Sequence, residues 1–79
     1  MSNARKLLSA MESNPLDWKM AQVQTVAKAF GLTIHKPGGS HHVLRHANGG
    51  KISIPARRPI KPIYIRQLVR LIRTGLGDE

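Results

Sequence analysis

Three of the four histidines in this chain fall within six residues, in the run Pro37-Gly38-Gly39-Ser40-His41-His42-Val43-Leu44-Arg45-His46. Imidazole, with an ordinary pKa of about 6.5, takes or gives a proton near neutral pH. The apolar residues after the glycines predict a strand over 41–46, and alternation along a strand sends His41 and His42 to opposite faces. Leu44 should face the core with Ile52 and Ile54. Period two then places His42 and His46 on the covered side, near the ends of the strand, and His41, Val43 and Arg45 on the open side. A neutral imidazole on an open surface can take the proton of a ribose 2′-OH. Guanidinium and ammonium groups near it, Arg45 with Arg57, Arg58 and Lys61, can hold a phosphate and its developing charge. The glycines before the strand leave backbone N–H groups able to approach an anion.

Metal chemistry fits these residues poorly. His42 and His46 share a face but stand four residues apart, about 13 Å along a strand. One zinc ion with bonds of about 2.0–2.1 Å cannot bridge that gap. Acidic side chains occur only at Glu12, Asp17, Asp78 and Glu79. A two-metal nuclease needs carboxylates that the stretch from Trp18 to Gly77 does not supply, and a serine triad lacks an acid to orient its histidine. No cofactor is implied.

The charge balance names the kind of partner. Thirteen Lys and Arg against four Asp and Glu give a formal net charge of +9. A basic surface of this strength is expected to meet a polyanion, nucleic acid first. A membrane is the weaker rival, because no run approaches the ~18 apolar residues of a span and no helix has a bulky apolar stripe. The N-terminal residues lack the small-residue cleavage pattern of a signal peptide. Without cysteine there is neither a disulfide nor a thiolate site, which suits an intracellular setting.

Seventy-nine residues, 41% of them hydrophobic, allow one small domain. Its core must come from Leu, Ile, Val, Ala and Met, since the aromatic residues are only Trp18, Phe30 and Tyr64. Asn3 caps a first helix with Ala4, Leu7, Leu8 and Met11 at helical spacing, ended by Ser13-Asn14-Pro15. Asp17 is the expected N-cap of a second helix, with Met20, Val23, Val26, Ala27 and Phe30 on one face and Gly31 at C′. Trp18 should pack under the first helix. Leu32-Thr33-Ile34-His35 alternates as a strand, and Pro37-Gly38-Gly39 is a turn. Asn48-Gly49 signals a hairpin into Lys51-Ile52-Ser53-Ile54, which Pro55 stops. After the basic loop 56–61, Pro62 opens a last helix with Ile65, Leu68, Val69 and Ile72 inward and Arg66, Arg70 and Arg73 outward. The expected fold is α+β, in the order α-α-β-β-β-α, with helices on one face of a three-stranded antiparallel sheet.

Gly39-Ser40-His41-His42 in a strand, a hairpin, Ile52-Ser53-Ile54-Pro55, then Pro59-Ile60-Lys61-Pro62 leading into Ile65-Arg66-Gln67-Leu68 together resemble the HicA family of toxins. The resemblance covers residues 18–75 and leaves the 3–13 helix outside it, for extra packing or contact with an antitoxin. It implies a core like that of double-stranded-RNA-binding domains and the toxin of a HicAB toxin–antitoxin module. Such a toxin is a metal-independent mRNA-cleaving endoribonuclease that arrests translation. The histidine after Gly-Ser is the family's catalytic one, which carries over to His41, with Gly39, Ser40 and His42 in support and Ser40 near the scissile group. Arg45, Lys51, Arg57, Arg58 and Lys61 would grip phosphates. A HicB-type antitoxin covering the active face, a monomer when free and a cytoplasmic setting are also implied. The alternative from another class is a module of the same fold that holds RNA without cutting it. Cleavage by the parent protein, lost on His41→Ala while binding persists, separates the two.

Overall fold

Leu8 and Met11 sit one turn apart on the first helix, and both are buried among residues from every other helix and from the sheet. The computed structural model describes residues 3–35, 41–56 and 60–75. Its elements are α1 (Asn3–Ser13), α2 (Met20–Ala29), β1 (Thr33–His35), β2 (His41–Arg45), β3 (Lys51–Pro55) and α3 (Pro62–Thr74). This is the α-α-β-β-β-α order expected. Helix α1 is no appendage to the 18–75 core: it packs on both α2 and α3, and Met11 is completely buried. No helix among the described residues is long and apolar enough to cross a membrane.

The second helix starts later than expected. Asp17 does not cap it; its backbone lies in the left-handed region at φ 63°, and Lys19 is the N-cap. Gln22 compensates by accepting the Lys19 backbone N–H on Oε1 at 3.0 Å, half of a capping box. The helix ends as Gly31 predicts. At φ 81°, Gly31 donates its N–H to the Lys28 carbonyl at 3.1 Å, and Leu32 donates to Ala27 at 2.9 Å. That pair of bonds is the Schellman arrangement, which satisfies two of the free carbonyls at a helix end.

The sheet is antiparallel in the order β1-β2-β3. Ile34, Leu44 and Ile52 lie in one cross-strand row on the side facing the helices, with His42 opposite Ile54 in the next row. Leu44 and Ile54 are completely buried, as are Ile65, Leu68 and Leu71 of α3. Val69 is buried as expected, whereas Ile72 is only partly covered. The β2–β3 connection is not the two-residue turn that Asn-Gly suggests. Ala47, Asn48 and Gly49 form a three-residue loop, closed by His46 N–H to Gly50 at 2.8 Å and Gly49 N–H to His46 at 2.9 Å. Only Gly49, at φ 98°, carries the positive φ, where a type I′ turn would need one at Asn48 too.

After β3 the chain is pinned again at Ile60. Its N–H donates to the Trp18 carbonyl at 3.0 Å in an isolated antiparallel bridge, and its side chain is buried. Trp18 lies partly buried against the core, and its indole N–H donates to the Asn14 carbonyl at 2.7 Å, just beyond α1. One strand-like contact thus ties the entry of α2 to the entry of α3.

Candidate functional site

The open face of the sheet is built from the residues that alternate with the core rows. His41 stands opposite Pro55; Val43 lies between His35 and Ser53; Arg45 lies between Thr33 and Lys51. Thr33, His35, His41, Arg45 and Ser53 are exposed. None of the three strands carries a carboxylate. His41 and Arg45 therefore share the outer surface, as Leu44 predicts when it is taken as the inward reference.

His41 also lines a cleft of about 200 Å³ together with Pro55, Lys61 and Tyr64. Each wall has a local cause. Pro55 is the last residue of β3 and lies across from His41, so the edge of the sheet supplies two walls. The other two come from the start of α3. Lys61 is its N-cap, extended at φ −63° and ψ 144°, and its carbonyl accepts the Tyr64 N–H at 3.0 Å. Pro62 gives up nothing at the first helical position, where an N–H would have no partner in the helix. Because Ile60 is anchored to Trp18, Lys61 emerges from a held point.

The first turn of α3 contains no acidic residue. The partial positive charge of the helix end therefore adds to Lys61 beside the cleft. An exposed imidazole, an ammonium group and a phenol meet in one concavity. That set can exchange a proton with a hydroxyl while a neighbouring anion is held.

The remaining expected residues fall in other places. His42 is 4% exposed and lies beneath the sheet with Ile54, so its side chain supports the strand from inside and does not line the cleft. Arg45 and Lys51 face each other at the far end of the ladder, about 13 Å along the strand from His41. They do not join the cleft. His46 is half-buried, and its Nδ1 accepts the Asn48 N–H at 2.9 Å, so this ring caps the hairpin. Gly39 and Ser40, the turn at Pro37-Gly38-Gly39, and Arg57 and Arg58 all lie outside the described residues. Arg66, Arg70 and Arg73 are exposed on α3, where Arg73 donates to Glu12 of α1 at 2.7 Å. Among the described residues no three His, Asp or Glu side chains are gathered closely enough to hold a metal ion.

Pro55, read only as the end of a strand, and Tyr64 are the cleft residues that the sequence reading missed. The inward stripe of α3 runs through Ile65 and Leu68, and Tyr64 falls on its flank, where periodicity assigns no role. The available signal was its place two residues after Pro62, in the same first turn that carries Lys61.

The arrangement is that of a small α+β domain with a basic, acid-free sheet face and an imidazole-bearing cleft at one edge. Comparison with protein-family models, curated proteins and solved structures finds no match to the chain.

Proposed function

We propose that this protein is a metal-independent endoribonuclease of the HicA toxin kind, cleaving mRNA with His41 as general base and acid. The observation that carries the reading is the placement of His41. It is exposed on an open face whose strands have no carboxylate, and it shares a cleft with Lys61. The net charge of +9 supports a polyanionic substrate. The α2-β1-β2-β3-α3 order agrees with what the resemblance implies.

In the proposed reaction His41 accepts the proton of a ribose 2′-OH as that oxygen bonds to the adjacent phosphorus. The bond from phosphorus to the 5′-oxygen breaks, and His41 returns the proton to that oxygen. The products are a 2′,3′-cyclic phosphate and a 5′-hydroxyl. Lys61 and the N-terminal end of α3 balance the charge that grows on the phosphate oxygens. The resemblance adds the biological partner, a HicB-type antitoxin that would close this face.

Purified protein incubated with mRNA in EDTA tests the reading. Cleavage with cyclic-phosphate ends, blocked by a 2′-deoxy sugar at the cut site and lost in His41→Ala, is the expected result. An RNA-binding module without catalysis would leave RNA intact with or without EDTA. That outcome would end the enzymatic reading.

A further inference from the structure

We propose that the cleft beside His41 receives one unpaired nucleobase, stacked on Tyr64, so that the protein engages RNA as a single strand there. The inference takes the identity of the polymer from the ribonuclease reading, and takes the strandedness from the cleft itself.

Size limits the occupant. At about 200 Å³ the cleft falls below the ~300–1,000 Å³ of sites that enclose drug-sized ligands. That volume matches one ring system more closely than a base pair. The chemistry of its walls points the same way. Tyr64 and Pro55 offer flat apolar surface, while His41 and Lys61 supply polar groups. A nucleotide has the same division, with an apolar base face and a polar sugar and phosphate. With its base on Tyr64, a bound nucleotide would have its 2′-OH within reach of His41 and its phosphate towards Lys61.

Rigidity adds to this. Tyr64 is half-buried and packs against the core, and its backbone N–H is bonded to the Lys61 carbonyl. A ring held this way loses little freedom on binding, which is what makes an aromatic side chain an efficient stacking platform.

A base inside a duplex cannot present its face to such a wall, because its neighbours already cover it. Proteins that recognise double-stranded RNA instead span about 16 base pairs across two minor grooves, reading shape and 2′-hydroxyls. No Asn, Gln, Asp or Glu is among the described lining residues, so the amide and carboxylate groups that read adenine and cytosine edges are absent from these walls and Lys61 is left to the phosphate. Base identity should accordingly be read weakly, with unpairedness as the main requirement.

The test uses 2′-O-methyl oligonucleotides, which resist the proposed cleavage, with affinity measured by fluorescence anisotropy. The single strand should bind more tightly than the same sequence in a duplex. Tyr64→Phe should bind like the parent, and Tyr64→Leu should bind the single strand about 5- to 150-fold more weakly. A strand of the same length that is abasic at every position, read with the unaltered protein, should bind more weakly by a similar factor. That arm does not depend on a variant folding.

Equal or tighter duplex binding overturns the inference, as does a fully abasic strand that binds as tightly as the intact one. Since binding is read on a strand that is not cut, the result stands even if no cleavage is ever found. Conversely, cleavage by a protein that binds duplex RNA equally well removes this inference and leaves the ribonuclease reading in place.

Discussion

Arg45 and Lys51 stand directly opposite each other across the β2–β3 ladder. Cross-strand partners bring their Cβ atoms to about 4.5–5.5 Å, and like charges at that separation are destabilising. The pair sits on the open face, at the other end of the strand from the His41–Pro55 row. Two cations facing each other there put positive charge on the outer surface and repel one another.

Replacing Lys51 by Thr should therefore raise stability by up to about 1 kcal/mol while weakening RNA binding. For a single strand, log affinity against log salt should flatten by about 0.7 for the one lost phosphate contact. Urea melts and a salt titration of binding check both halves. A Lys51→Thr protein that is less stable, or that has an unchanged salt slope, would contradict this assignment.

Lys61 should behave differently, because it stands at the cleft and not at the far end of the ladder. If it balances charge at the reacting phosphate, Lys61→Gln should lower kcat by about 10²–10³, the range for removing one donor to a developing oxyanion. KM should move much less. Lys51→Thr should show the reverse split, with KM raised and kcat nearly kept, in steady-state cleavage of a short RNA.

The end of α3 and the hairpin loop are built around one glycine. Gly75 caps the helix at φ 73°, and a Cβ there would meet Asn48 Nδ2 at 2.8 Å. Gly75→Ala must therefore accept a left-handed backbone and also push the Asn48 side chain aside. The backbone alone should cost about 1–2 kcal/mol, read as a lower urea midpoint with an unchanged slope.

Helix α1 belongs to the cooperative unit. Met11 is completely buried in the common core, so Met11→Ala should cost about 2–5 kcal/mol. Against a total of about 5–15 kcal/mol for a typical native protein, that is a large fraction. Circular dichroism and Trp18 fluorescence should report one coincident transition in the parent protein. Separate transitions would mean that α1 is an independent attachment.

Much of the fold could be read in the sequence because its signals are local. The apolar stripes of α1, α2 and α3 each declare themselves within a few turns. Gly31 stops α2 because its backbone accepts a positive φ at little cost. Within β2, a single inward residue, Leu44, sets the phase of the strand. From it follow the exposed His41 and Arg45 and the buried His42, since side chains alternate with period two.

Other features depended on groups distant in the chain. Asp17 has the right chemistry for an N-cap, yet Lys19 takes the position while Trp18 pairs with Ile60. Ile60 lies in a stretch that reads as a basic loop, and it is buried because that bridge draws it inward. Helix α1 looks separable until its apolar face is seen between α2 and α3.

The cleft follows the same division. The amino-acid sequence alone determined which face His41 occupies, because that depends only on pleating within one strand. Tertiary structure decided that Tyr64 and Lys61 would meet it, because bringing the start of one helix to the edge of a sheet is a result of how the core packs. No periodicity inside either element records that meeting.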